Sequence, residues 1–83
     1  MSKPANFDEV LDLLKQYLEE DFEVPPQDVQ PDARLYEDLD LDSIDAVDLI
    51  VRFQRDIGRR FSAEEFKSAR TVKDVVEVVV ANL

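Results

Sequence analysis

The stretch DLDLDSIDAVDLIVRFQRDI, residues 38–57, decides the fold because within it an acidic loop gives way to an amphipathic helix. The spacing predicts a helix over residues 44–57, since five apolar side chains fall within one sector about 100° wide, the usual width of a core-facing stripe. They are Ala46, Leu49, Ile50, Phe53 and Ile57. A second apolar stripe, which a single small core does not need, lies outside that sector beside a polar wedge. The stripe consists of Ile44, Val47 and Val51, and the wedge contains Asp45, Asp48, Arg52 and Arg55.

A first helix is predicted from about Phe7 to Glu20. Asn6 followed by Glu9 is a capping signal, and apolar residues then recur at helical spacing. Those apolar residues are Phe7, Val10, Leu11, Leu14 and Leu18.

The linker from Glu23 to Asp42 is long for a compact domain. Prolines at positions 25, 26 and 31 prevent a continued helix across residues 23–31. Long crossover connections are nevertheless found in four-helix bundles. We expect three spaced apolar residues, Val29, Leu35 and Leu39, to pin this loop onto the helical core, so that the loop is ordered.

A short third helix is predicted beyond Gly58, which suits the left-handed end of the second helix. Ser62 with Glu65 forms a Ser-x-x-Glu capping box. The helix is expected over about Ala63–Ser68, with Phe66 pointing inward.

The last helix is predicted to begin after Thr71, which repeats the capping pattern with Asp74. Its valines recur at helical spacing, although valine itself favours strands. They are Val72, Val75, Val76, Val79 and Val80. The fold class expected is all-α, a small four-helix bundle with a long loop between helices 1 and 2 and a short third helix. Residues 1–83 would form one domain, with residues 1–6 as a loose N-terminal end.

The chain of 83 residues is strongly acidic, with a formal net charge of −10. This charge argues against nucleic acid as a ligand, because phosphate binding depends on clustered Lys and Arg. Acidic residues concentrate in residues 8–48 and basic residues in residues 52–73, so the charge is polarised and favours basic partners.

The chain has no cysteine, no signal-peptide pattern and no apolar run of roughly 20 residues. We expect a cytoplasmic monomer without stable membrane insertion.

Ser43 is a poor candidate for a nucleophile. Asp42 and Asp45 flank it, and the chain has no His and no Cys, so a Ser-His-Asp or Cys-His arrangement cannot be assembled. Ser43 must therefore be acted upon by another protein. The simpler interpretation of Asp42-Ser43 is helix capping, because both residue types are favoured caps, each worth roughly 1 kcal/mol.

A calcium loop is another alternative, since Asp38, Asp40 and Asp42 match its first, third and fifth ligand positions. The match fails at the sixth position, where Ser43 replaces Gly, and at the twelfth, where Leu49 replaces Glu. No metal site is predicted.

The motif Asp42-Ser43-Ile44 is preceded by Asp38-Leu39 and followed by an acidic and apolar run over residues 45–50. It resembles the phosphopantetheine attachment site of discrete type II acyl carrier proteins, and the likeness extends over nearly the whole chain. The resemblance implies that Ser43 receives 4′-phosphopantetheine from coenzyme A as a phosphodiester, through a separate phosphopantetheinyl transferase. It also implies a docking face for basic patches on that transferase, a ketosynthase and other acyl-processing enzymes. The docking face would consist of Asp42, Ile44, Asp45, Val47, Asp48 and Val51.

Several positions depart from the usual family pattern. Asp40 stands where Gly is common, and the turn is expected to survive because Asp tolerates unusual backbone angles. Ile44 replaces the commoner Leu. Arg52, Gln54 and Arg55 stand in a part of the helix that is typically acidic in fatty-acid carriers, which favours a dedicated type II polyketide or polyene-like pathway. The interior expected to shelter an acyl chain is lined by Leu49, Phe53, Phe66 and Val72.

Two other functions remain open from the sequence. An unmodified acidic helical adaptor that binds a basic protein would also use the charge asymmetry and the second apolar stripe. A peptidyl carrier would share the chemistry at Ser43 but take amino acids.

Added salt should stabilise the domain, because five aspartates crowd around the motif and screening weakens their mutual repulsion. They are Asp38, Asp40, Asp42, Asp45 and Asp48. Thermal melts at low and at moderate ionic strength measure the effect. A melting temperature that stays flat or falls with salt would contradict significant repulsion.

Overall fold

The computed structural model describes residues 6–61 and 63–83, which fold into four α-helices and one turn of 3₁₀ helix. The α-helices are α1 (Phe7–Phe22), α2 (Ser43–Ile57), α3 (Ala63–Ser68) and α4 (Val72–Ala81), and the 3₁₀ turn is Pro26–Asp28. The predicted all-α fold with four helices is confirmed. The 3₁₀ turn was not predicted.

Helix α1 extends two residues beyond the predicted end at Glu20. It stops at Glu23, which has a φ of 57° in the left-handed region and donates its backbone N–H to the carbonyls of Glu19 and Leu18. Such a helix end is usually made by Gly, so the residue type at position 23 gave no signal. The two extra residues include Phe22, which packs against the buried core.

Capping residues were also predicted for the first and third helices. Asn6 caps α1, because its side-chain oxygen accepts a hydrogen bond from the Glu9 N–H at 3.0 Å. Asn6 is thus not part of a loose end, and residues 1–5 of that predicted end lie outside the described residues. The capping box of Ser62 with Glu65 also lies outside them, because Ser62 is not described.

The long loop between α1 and α2 is ordered, as predicted, and Val29, Leu35 and Leu39 are buried. Its backbone also pairs with the α3–α4 junction. Leu35 donates its N–H to the Arg70 carbonyl at 2.9 Å, and Val72 donates to Ala33 at 2.9 Å. The loop is therefore held by hydrogen bonds as well as by apolar burial.

The core lies where α1 packs on α4 and α2 packs on α3. All five predicted inward residues of α2 are buried. Aromatic rings continue the core across the helices: Tyr17 and Phe53 have ring centroids 4.8 Å apart, and Phe53 and Phe66 have centroids 6.4 Å apart. The valines buried on α4 are Val72, Val75, Val76 and Val79.

Polar groups join α1 to α2 at the edge of this core. The Tyr17 hydroxyl donates to Asp56 at 2.5 Å, and burial, followed by this hydrogen bond, raises the pKa of Tyr17. The guanidinium of Arg52 lies 4.1 Å from the centroid of the Tyr17 ring and pairs with Glu20 at 3.2 Å and Asp21 at 2.8 Å. Arg52, which the sequence placed in an outward wedge, instead ties α2 to the end of α1.

The capping box of α4 should make stability depend on pH. Asp74 accepts hydrogen bonds from the backbone N–H groups of Arg70 and Thr71, and its own N–H donates to the Thr71 hydroxyl. The bond from Arg70 is the largest cause that holds the Asp74 pKa below its usual value. A depressed folded-state pKa gives stability that is present above the unfolded-state pKa and lost as pH falls through the folded-state value.

Asp74→Ala should therefore cost about 1 kcal/mol of unfolding free energy at pH 7, the usual worth of a cap. The difference between wild type and variant should shrink as pH falls below about 4, the ordinary aspartate range. Urea unfolding of both proteins at pH 7 and at pH 3 measures it. An equal difference at both pH values would show that the ionised carboxylate is not the stabilising form.

Candidate functional site

Ser43 is the first residue of α2 and is exposed. The N-cap is its neighbour Asp42, whose Oδ1 accepts hydrogen bonds from the N–H groups of Ile44 and Asp45, both at 2.9 Å. Asp45 returns the contact, since its Oδ2 accepts from the Asp42 N–H at 3.1 Å. Capping thus explains Asp42 and does not explain Ser43. Within the described residues, the Ser43 hydroxyl makes no hydrogen bond.

The turn before Ser43 is fixed by two buried leucines. Leu39 and Leu41 enter the core, and the N–H of Leu41 donates to the Leu35 carbonyl at 3.0 Å. Asp40 between them has a φ of 58°, in the left-handed region that favours Gly. The expectation that Asp40 would accept the backbone angle of a glycine is confirmed, and the turn holds Ser43 at a defined point on the surface.

Asp38 belongs to the loop and not to the surface around Ser43. Its carboxylate accepts the backbone N–H of Arg34 at 2.9 Å and pairs with the Arg34 guanidinium at 3.4 Å. The backbone hydrogen bond is the main cause that lowers the Asp38 pKa. Arg34 also pairs with Glu37. The contacts between Asp38 and Arg34 therefore stabilise a turn within the loop.

The second apolar stripe of α2 faces solvent, as predicted. The exposed fractions are 70% for Ile44, 38% for Val47 and 53% for Val51. Asp42 and Asp48 are exposed beside the stripe, whereas Asp45, which is engaged in the capping box, is half-buried. Five of the six residues predicted for docking therefore lie on α2, and the sixth, Asp42, is its N-cap. All of them except Asp45 are exposed. We call these six residues the docking face.

Three residues in the later half of α2 differ from the usual acidic pattern, and each has a different role in the structure. They are Arg52, Gln54 and Arg55. The Oε1 of Gln54 accepts a hydrogen bond from the backbone N–H of Phe61 at 2.9 Å. This bond holds the connection between α2 and α3 against the end of α2. Arg52 turns toward α1, as described above. Only Arg55 of the three extends into solvent, with 73% of its side chain exposed. Sequence patterns missed these separate roles because each depends on which element lies opposite.

Ser43 lacks the histidine partner that activates a nucleophilic serine in a Ser-His-Asp arrangement. The chain contains no His or Cys, and across residues 6–61 and 63–83 no group of three or more acidic side chains is placed to hold a metal ion. No helix in the same residues is both long and apolar enough to span a bilayer. An exposed, unengaged hydroxyl at a fixed helix start can serve as an acceptor for a group that another protein transfers.

Comparisons with known proteins identify a family and several relatives of this chain. The family model described as the phosphopantetheine attachment site covers residues 12–79. Acyl carrier protein 2 of Ralstonia nicotianae is 51% identical over 71 residues, which is 86% of this chain and 88% of that protein. The acyl carrier protein of Coprothermobacter proteolyticus is 37% identical, over 84% of this chain and 85% of that protein. That of Thermosynechococcus vestitus is 34% identical, over 89% of this chain and 91% of that protein.

The left-handed angle at Asp40 predicts an order of stability among variants. Asp40→Gly should be more stable than Asp40→Ala by about 1 kcal/mol, because Ala has a Cβ that clashes at positive φ. The matched control is Asp48, an exposed aspartate in the middle of α2, where Gly should be less stable than Ala by about 1 kcal/mol. Urea unfolding of the four variants measures both differences. The same order at both positions would contradict the backbone assignment.

Proposed function

Because the chain belongs to the phosphopantetheine-attachment family of acyl carrier proteins, we propose that Ser43 carries the prosthetic group of this family. That group is 4′-phosphopantetheine, whose terminal thiol supplies thioester chemistry that a cysteine-free chain lacks. Acyl carrier proteins are carriers and not enzymes. The single observation that supports Ser43 most strongly is its exposed hydroxyl, which has no capping role because Asp42 holds the first turn.

The residues around Ser43 fit a covalent phosphodiester. The Ser43 Oγ lies at the start of α2, where backbone N–H groups favour negative charge. Asp42 already occupies two of these N–H groups, so the phosphate would be held mainly by its covalent bond. A base must remove the hydroxyl proton during attachment. The transferase would provide it, since the chain has no histidine or cysteine and the neighbouring carboxylates of Asp42 and Asp45 are engaged in the capping box.

The docking face would meet the transferase, a ketosynthase and other acyl-processing enzymes. Carboxylates on Asp42 and Asp48 would speed encounter with Lys and Arg patches, and the exposed side chains of Ile44, Val47 and Val51 would fill small apolar pockets. Contacts of this size give transient complexes. Transient docking suits a carrier that must visit several enzymes in turn.

The cargo would be an acyl chain of a type II fatty acid, polyketide or polyene-like pathway, with the polyketide or polyene-like setting favoured by the cationic end of α2. The interior residues Leu49, Phe53, Phe66 and Val72 are all buried. Sheltering a chain among them would require these side chains to move apart. Burial of each methylene gains roughly 0.8 kcal/mol, so several carbons would be enough to favour a sheltered state.

Attachment at Ser43 can be tested by intact mass after incubation with coenzyme A and a broad-range phosphopantetheinyl transferase. Wild type should gain one phosphopantetheine and Ser43→Ala none. Ser68→Ala is the matched control, because Ser68 is an exposed serine on a helix, and it should be modified like wild type.

An unmodified wild type, under conditions that charge a known carrier, would contradict the proposal and favour the acidic adaptor. Modification of Ser43→Ala would move the attachment site to another residue. Loading of the modified protein from native extract then separates an acyl carrier from a peptidyl carrier, since the first gains an acyl group and the second an aminoacyl group.

A further inference from the structure

Arg55 is the cation that the later half of α2 presents to solvent. Arg52 has only 20% of its side chain exposed and is engaged by Glu20 and Asp21. Arg55 is loosely paired with Asp56 at 3.7 Å, and the Asp56 carboxylate also accepts the Tyr17 hydroxyl. An exposed pair of this kind contributes little, so the charge of Arg55 remains available to a partner.

Arg55 extends the line of the exposed apolar stripe. It lies eleven residues after Ile44 and four after Val51, so all three fall within about 40° of one another around the helix at roughly 100° per residue. The rise of about 1.5 Å per residue places Arg55 about 18 Å along the axis from Ser43. An enzyme that covers the docking face as far as Val51 would need to extend only about 6 Å further along the axis to contact Arg55.

The sign of the charge changes along α2 and the residues that follow it. Asp42 and Asp48 are exposed toward the Ser43 end, whereas Arg55 is followed by Arg59 and Arg60, which are exposed beyond the end of α2. Asp56 is exposed beside Arg55 and pairs with it. Asp48 and Arg55 are about 10 Å apart along the axis, close to the Debye length at physiological ionic strength. A partner would therefore interact with the negative end of α2 and with its positive end as two separate charged patches.

We infer that Arg55 determines partner choice: the cognate enzyme has a docking surface that is basic opposite Asp42 and Asp48 and carries a carboxylate opposite Arg55. An enzyme whose docking surface is basic along its full length meets Arg55 as a like charge, which is unfavourable. This inference rests on the proposed function and names the chemistry of its partner.

A ketosynthase of a fatty-acid system, chosen because its docking surface bears only Lys and Arg, is the probe. Arg55→Glu in the phosphopantetheine-loaded, acylated carrier should raise kcat/KM with this probe roughly three- to tenfold, mainly through KM, as expected for reversing one exposed charge contact. Lys67→Glu is the matched control, since it makes the same charge change at an exposed lysine of α3 outside the docking face. Its kcat/KM should stay near that of wild type. Equal effects of the two variants would overturn the inference.

A second arm tests whether Arg55 responds to the charge that lies opposite it on an enzyme. In the probe ketosynthase, the basic residue about 18 Å from the active-site entrance is replaced by Glu. The preference should then reverse, so that wild type exceeds Arg55→Glu. An unchanged preference would overturn the inference. Intact mass separates this failure from that of the proposed function, because a carrier that is not modified at Ser43 never enters either assay.

Discussion

The small size of the chain requires its longest loop to supply part of the core. A domain of 83 residues buries only a limited share of its surface, and this chain has no cysteine with which to compensate. Six loop residues share one buried cluster with the helices, and they are Val24, Val29, Ala33, Leu35, Leu39 and Leu41. The last two of these flank the turn that leads into α2. The same burial that stabilises the fold therefore sets the position of Ser43.

Local signals in the sequence were enough for most of the helical structure. The apolar spacing of α2 and the Thr71 capping pattern of α4 each depend on residues within one or two turns, and both were predicted correctly. The end of α1 was not, because Glu23 adopts a backbone angle that its residue type does not announce. The direction of Arg52 was also missed, since it depends on Glu20 and Asp21, which come close only after α1 and α2 have packed.

The residues around Ser43 could be listed from the sequence, whereas the contacts that each of them makes could not. Acidic and apolar residues around a lone serine, together with a family resemblance, indicated Ser43 as an attachment point. Sequence alone could not say whether Asp42 or Ser43 caps the helix, because both types are favoured caps. The docking face was predicted as a set of six, but the half-buried, engaged state of Asp45 required the three-dimensional contacts.

The capping role of Asp42 has a thermodynamic consequence for its neighbour. The first turn of α2 is capped by the side chains of Asp42 and Asp45. The Ser43 hydroxyl therefore contributes no capping hydrogen bond to the stability of that turn. A substituent that extends from the Ser43 oxygen into solvent would leave the folding equilibrium nearly unlinked to its attachment, since linkage requires a contact that differs between folded and unfolded chains. The unmodified and the modified chain would then share one native state, and enzymes of the host could attach or remove the group without unfolding the domain.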